Sequence, residues 1–203
     1  MIHNLFPIPV GIYKLDRDLT EEEIDFIKGQ ETRPNMGNVT SKDNTILRNS
    51  ELTNLRDFIE TKVSEYFTTI HNPKHKVNLR ITQSWTNYTE PGQWHHKHAH
   101  PNSFISGVFY PQANKETDKI YFYHDGYQMI KLPPSEWNVW NSESWWFEVG
   151  TGDLILFPSS LTHMVETVQG DQTRISLSFN TFPVGVVGEE MDLTGLKLES
   201  VKE

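Results

Sequence analysis

The chain has 203 residues, within reach of one domain, since domains commonly run about 100–200 residues. Its 27 acidic against 18 basic residues give a formal charge of −9, and no Lys/Arg cluster is present, which disfavours an electrostatic grip on DNA, RNA or other anionic polymers. With no cysteine, disulfides, zinc–thiolate sites, Fe–S clusters and thiol nucleophiles are excluded. No basic leader and no run of about 18 apolar residues occurs, so a soluble cytoplasmic protein with no membrane partner is expected.

Six Trp and eleven Phe promise a large core despite a polar mean hydropathy. Residues 5–15 alternate loosely and carry Pro7 and Pro9, which predicts a short edge strand. Thr20 followed by three glutamates predicts a capped helix ending near Gly29, and the polar residues 30–50 predict a covering loop. Leu52, Leu55, Ile59, Val63, Tyr66, Phe67 and Ile70 recur at helical spacing, so a main helix is expected over 51–70.

After Pro73 the texture changes to short Val/Ile/aromatic runs punctuated by Gly, Pro and Asn, predicting strands near 79–88, 93–100, 103–110, 119–124, 145–149, 153–157, 162–168 and 174–182. About eight such strands suit a mainly β fold with flanking helices, a jelly roll or cupin-like double-stranded β-helix. The expected layout is one domain over 1–203: N-terminal strand and helices in 1–72, the β-helix core in 77–183, and a mobile acidic tail in 187–203. The main helix should lie outside one of two facing antiparallel sheets.

Four of the nine histidines fall in Trp94-His95-His96-Lys97-His98-Ala99-His100-Pro101. Residues two apart on a strand share a face, so His98 and His100 can offer two imidazoles to one ion while His95 and Lys97 point away. His96 and His98 are an alternative pair, and a solvated histidine-rich edge without metal is the bland reading. A third ligand must come from elsewhere. His163, just beyond the apolar run Leu154–Phe157 and its stop at Pro158, opens the next strand at what would be a barrel rim. Eleven residues on, Arg174, Ser176 and Ser178 share one face of a strand whose other face is Ile175, Leu177 and Phe179. A guanidinium turned inward calls for a carboxylate, which its fork can bind in bidentate fashion.

The segments Trp85-Thr86-Asn87-Tyr88, His98-Ala99-His100-Pro101-Asn102-Ser103, Ser106-Gly107-Val108-Phe109-Tyr110, Leu156-Phe157-Pro158, His163, Arg174-Ile175-Ser176 and Phe179-Asn180, with the opening Leu5-Phe6-Pro7-Ile8-Pro9-Val10, resemble the 2-oxoglutarate/Fe(II) oxygenases of marine bacteria and cyanophages. More distantly the layout is similar to prolyl hydroxylases. The resemblance runs from about residue 5 to 183. It implies an Fe(II)- and 2-oxoglutarate-dependent dioxygenase, a hydroxylase that also uses dioxygen, cytoplasmic or in a host cytoplasm if phage-encoded, with a peptidyl proline among the candidate substrates. It implies that His98 and His163 bind the metal, that Arg174 grips the remote carboxylate of 2-oxoglutarate, and that Tyr88 and Ser176 help to hold it. One departure stands out: where the superfamily carries an Asp or Glu, this chain has His100, giving a three-histidine site with no anionic ligand.

Trp85, Phe104 and Phe109 are candidates for the walls of a dry cavity or for plain core packing. The aromatic segment 121–127 and the loop 133–146, with four Trp, suit a substrate mouth or the closed end of a barrel. His124 and Asp125 have no assigned role. The rival readings are a cupin-type metalloenzyme that needs no 2-oxoglutarate, for which an inward carboxylate clamp at Arg174 has no use, and a non-catalytic β-sandwich binding module, which would hold no stoichiometric iron.

Overall fold

The main helix sets the outer layer of the molecule. In the computed structural model, which describes residues 1–124, 130 and 132–199, the elements run in chain order as β1 (Gly11–Lys14), α1 (Glu21–Lys28), β2 (Thr32–Pro34), β3 (Val39–Ser41), two short 3-10 turns (Ile46–Arg48 and Ser50–Leu52) and α2 (Thr53–His71). There follow β4 (Val77–Thr89), β5 (His95–His98), β6 (Ile105–Gln112), β7 (Lys119–Tyr123), β8 (Ser144–Glu148), β9 (Asp153–Pro158), β10 (His163–Val165), β11 (Arg174–Val187) and β12 (Leu196–Leu198). Helix α1 begins with the capping box read from the sequence: the Thr20 hydroxyl accepts from the Glu23 amide, and the Glu23 carboxylate accepts from the Thr20 amide. Helix α2 ends where Asn72 turns left-handed at φ 39°.

Among the described residues the strands form two antiparallel sheets. The larger is ordered β1-β9-β6-β11-β4-β3-β2 with β12 added beside β11, and the smaller is ordered β5-β10-β7-β8. Together they make the expected double-stranded β-helix. The larger sheet is covered on both faces, which is why β6, β9 and β11 are almost continuously buried. Ile105, Phe109, Leu154, Leu156, Ile175, Leu177 and Phe179 join Leu55, Ile59 and Val63 of α2 in one core, outside the barrel. Val108, Tyr110, Ile155 and Phe157 point the other way and meet Ile120 and Phe122 of the smaller sheet. Gly107 is dictated by this packing, since a Cβ there would lie 2.1 Å from Cζ of Phe179.

Two segments are more ordered than the sequence suggested. The 30–50 stretch contains β2 and β3, and β3 pairs with β4, so this covering loop extends the larger sheet. Part of the acidic tail is also ordered: Leu196, Lys197 and Leu198 pair with Val187, Val186 and Gly185 of β11. Residues 125–129, 131 and 200–203 lie outside the described residues, and with them Asp125, Tyr127 and the end of the tail. Among the described residues no helix is long and apolar enough to cross a membrane.

Candidate metal centre

His98 closes β5 and His163 opens β10, and the two are direct cross-strand partners. Their ring centroids lie 4.4 Å apart. His100 follows β5, its amide donating to the Ser159 carbonyl at 2.9 Å, which turns it back toward the same point. Its ring centroid is 5.0 Å from each of the other two, and ligand nitrogens of all three residues fall within 4.8 Å of one another.

The hydrogen bonds of these rings decide what they can do. His98 Nδ1 lies 2.7 Å from the His96 carbonyl, His163 Nδ1 lies 3.0 Å from the Leu161 carbonyl, and His100 Nδ1 lies 2.6 Å from the amide oxygen of Asn180. Each partner is an acceptor, so the proton of each neutral ring belongs on Nδ1 and every Nε2 keeps its lone pair. The Nε2 atoms of His98 and His100 are only 3.0 Å apart. Burial holds the rings neutral: it pushes the His100 pKa down to about 4, against a smaller upward pull from Asn180, and lowers His98 and His163 as well. Converging neutral imidazole nitrogens fit a first-row divalent ion. Among the described residues no Asp or Glu joins the cluster.

His95 departs from the strand-alternation reading. The register slips between His163↔His98 and Val165↔His95, where Met164 of β10 faces both His96 and Lys97 of β5, and this bulge turns His95 to the same side as His98. Its ring stacks on His98 with centroids 4.9 Å apart and 17° between planes, and burial drives its pKa down to about 3. His95, His96 and His98 form a second group with ligand atoms within 4.8 Å. Lys97 points away as expected, its ammonium 4.0 Å above the Tyr123 ring.

On β11 the inner face carries Arg174, Ser176, Ser178 and Asn180, opposite Thr89, Asn87, Trp85 and Gln83 of β4. Arg174 is buried and pairs with buried Asp118 at 3.3 Å. The second Asp118 oxygen accepts from the Asn114 amide at 2.8 Å. Two inner-face polar atoms stand buried with no partner among the described residues: the hydroxyl of Tyr110 and the side-chain oxygen of Asn87. Burial raises the Tyr110 hydroxyl pKa, and the nearby Arg174 charge opposes the rise. An orphaned buried polar group costs about 1–3 kcal/mol unless a ligand or water satisfies it.

Tyr88 is a correction. Its phenol ring packs on the helix side of the larger sheet, where the hydroxyl donates to the Ile27 carbonyl and accepts from Thr86. It faces away from Arg174 because its cross-strand partner is Ile175, an outward residue. Tyr110, with Arg174 and Asp118, occupies the region that the sequence assigned to Tyr88. The signal was present: Val108 and Tyr110 alternate with Ile105-side residues, but a strand apolar on both faces hides its phase. Of Trp85, Phe104 and Phe109, Trp85 reaches the site, its ring centroid 5.7 Å from that of His100, and Phe122 of the 121–127 segment lies 6.2 Å from the His163 ring. Phe109 is helix-side core, and Phe104 lies on the outer surface against Phe67 and His71. Trp137, Trp140, Trp145 and Trp146 are all exposed. A cleft of about 380 Å³ lined by Trp85, His95, His96, His98, His100 and Asn180 leads to the histidines.

Fold and histidine face together describe a β-helix that carries a candidate metal centre. Residues 83–180, which span every candidate ligand and Arg174, match the family described as "Putative 2OG-Fe(II) oxygenase". The match spans just under half of the chain, and the description of the matched family names 2-oxoglutarate and Fe(II). No curated protein matches the chain by sequence. Among solved structures it is similar to an oxidoreductase of the 2OG-Fe(II) oxygenase family from Burkholderia pseudomallei, at 14% identity and TM-score 0.55 over 78% of this chain and 75% of that one. It is similar to HygX from Streptomyces hygroscopicus, solved with nickel and 2-oxoglutarate bound, at 10% identity and TM-score 0.57 over 86% and 82%. Both likenesses are of fold. Oxalate decarboxylase from Bacillus subtilis gives TM-score 0.42 at 15% identity over 78% of this chain, which spans 30% of that one.

Proposed function

We propose that the chain is a hydroxylase acting as one domain, in which His98, His100 and His163 hold Fe(II) while Arg174, Tyr110 and Ser176 receive 2-oxoglutarate. The observation that carries this reading is the set of three Nδ1–H groups committed to oxygen acceptors, which leaves Nε2 lone pairs converging on one point. Bound there, Fe(II) supplies the oxidation of a substrate C–H bond by dioxygen, coupled to decarboxylation of 2-oxoglutarate to succinate.

The residues do the rest. Three neutral ligands leave the ion its full positive charge, which favours a dianionic cosubstrate over water. Arg174 offers five donors, and the 3.3 Å contact with Asp118 orients its fork while leaving donors for the remote carboxylate. The orphaned Tyr110 hydroxyl donates to the same carboxylate, and Ser176 beside it on the inner face lines the way. His95, stacked on His98, and Trp85, against His100, wall the cleft and exclude water. The primary substrate enters from the cleft; a peptidyl proline is the candidate that the prolyl-hydroxylase resemblance suggests.

The test is release of succinate from 2-oxoglutarate, measured with and without Fe(II) and dioxygen. The reading expects slow turnover that needs both and vanishes in His163→Ala. Fe(II)-loaded protein that neither binds 2-oxoglutarate nor forms succinate would overturn it.

A further inference from the structure

An imidazole in a carboxylate's place brings a problem that the carboxylate does not have. Either oxygen of a carboxylate can bind a metal, whereas a neutral histidine has one nitrogen free, and which one depends on what the other nitrogen meets. For His98 and His163 the answer is local, since each donates Nδ1–H to the carbonyl two residues back in the chain. His100 lies past the end of β5 and has no such carbonyl against it. Its Nδ1 instead meets a side chain 80 residues away, the amide of Asn180, at 2.6 Å.

An amide can present oxygen or nitrogen, so it too must be aligned. Asn180 is the middle of a cross-strand row, opposite Gln83 of β4 on one side and Ser106 of β6 on the other. Its nitrogen donates to the Gln83 side-chain oxygen at 3.2 Å, and its oxygen accepts from the Ser106 hydroxyl at 3.0 Å. A flipped amide would set its NH₂ against the His100 Nδ1–H and its oxygen against the Gln83 oxygen, losing both bonds. Ser106 also lies 2.9 Å from His100 Nδ1, but a hydroxyl can donate or accept and does not by itself choose the tautomer. Ser106 is in turn held by Ser159 at 2.8 Å, which donates to Ser103 at 2.7 Å. His100, Asn180, Ser106 and Ser159 are all buried, so no water competes freely for these bonds.

We infer that Asn180, aligned by Gln83 and Ser106, is the positioning residue that makes His100 a metal ligand. Its amide oxygen accepts the hydrogen bond from Nδ1–H, which keeps the proton on Nδ1 and leaves the Nε2 lone pair facing His98 and His163. Because that acceptor is neutral, His100 binds as a plain imidazole, and the site keeps the uncompensated positive charge that a carboxylate ligand would have cancelled. This rests on His100 being a ligand, and the experiment separates the two claims.

The experiment uses the full chain, with Co(II) as the probe ion in calorimetric titrations at pH 8 and long-range proton–nitrogen NMR of the metal-free protein to read each histidine tautomer. The His100 signals are identified by their loss in His100→Ala. In the unmodified chain His100 is the Nδ1–H form. Asn180→Ala shifts it toward the Nε2–H form and weakens Co(II) by about 10–100-fold, the usual effect of losing a ligand's hydrogen-bond partner. Asn180→Asp keeps an acceptor in place, so it retains the Nδ1–H form and binds Co(II) at least as tightly as the unmodified chain. Gln83→Ala, at an exposed strand position, frees the amide to turn and weakens Co(II) in the same direction without touching the core. Unchanged tautomer and affinity in Asn180→Ala overturn the inference, as does an Asn180→Asp variant that loses as much affinity as Asn180→Ala, the outcome of a merely structural role. If Asn180→Ala fails to fold, Asn180→Asp and Gln83→Ala decide by the same criteria. A His100→Ala chain that binds Co(II) as tightly as the unmodified one sinks the ligand assignment itself, whatever Asn180 does.

Discussion

The Nε2 atoms of His98 and His100 face each other across 3.0 Å, and each ring has committed its Nδ1 proton to an oxygen. Two lone pairs that close, with no proton between them, repel unless a cation joins them. The fold tolerates this because β5, β10 and the Ser159 contact hold the rings from behind. The positions of greatest local cost are thus those that bind.

Acid should empty and loosen this site. Folding lowers the pKa values of His98, His100 and His163, so the unfolded chain binds protons that the folded one refuses. The stability these rings contribute is present above the ordinary histidine pKa of about 6.5 and declines as pH falls below it, down through about 4 for His100. Metal affinity should fall over the same range, because bound ion and proton compete for Nε2. Thermal unfolding of metal-free protein from pH 8 to pH 4 tests the first part; a midpoint that does not fall below pH 6.5 counts against neutral buried rings.

Arg174→Ala should do two things at once. It leaves the buried Asp118 carboxylate unpaired, which destabilises a protein by about 3–5 kcal/mol. It also removes the grip on 2-oxoglutarate, weakening that binding by about 2–5 kcal/mol while leaving metal affinity little changed. Equilibrium binding of 2-oxoglutarate and of Co(II), measured below the variant's unfolding temperature, separates the effects.

The two tyrosines should behave oppositely. Tyr110→Phe removes a hydroxyl that has no partner among the described residues, so the fold should be as stable or more so, yet 2-oxoglutarate binding should weaken by about 1.5–3 kcal/mol, the usual worth of a bond to a charged group. Tyr88→Phe removes the bonds to Ile27 and Thr86, which should cost about 1 kcal/mol of stability and leave 2-oxoglutarate affinity unchanged. A cosubstrate defect in Tyr88→Phe alone would reverse the assignment.

At the metal, His100→Asp should retain the ion by restoring the superfamily's carboxylate, and His100→Ala should lose most of it. His96→Ala should keep it, because the His96 contribution to the triad is its backbone carbonyl, which any residue supplies. Metal content after dialysis against a weak chelator reads all three.

Much of this was legible in the residues. The apolar stripe from Leu52 to Ile70 gave α2, Thr20 with Glu23 gave α1, and the strand texture after Pro73 gave the barrel. His98 and His163 meet as the strand reading expects, whereas His100 reaches them from beyond the end of β5 through the Ser159 contact and not by alternation along one strand. Phase was harder. The bulge that turns His95 inward leaves no mark in a run of polar residues, since no apolar face exists to slip. Tyr88 is misplaced because the sequence leaves Trp85, three residues earlier, open between cavity wall and core, and residues three apart on a regular strand take opposite faces, so the phase of β4 is not fixed by its residues alone. Asn180 stood in the motif without a role because its partners come from strands nearly a hundred residues away, as Gln83 does.

The central claim is that one ion on His98, His100 and His163 receives 2-oxoglutarate held at its far end by Arg174. Anaerobic titration of the protein with Fe(II) and then 2-oxoglutarate tests it most directly. The account expects a weak visible metal-to-ligand charge-transfer band that saturates at one equivalent of each, is absent in His163→Ala, and needs far more 2-oxoglutarate in Arg174→Ala. Iron bound at one equivalent with no such band at any 2-oxoglutarate concentration would contradict it.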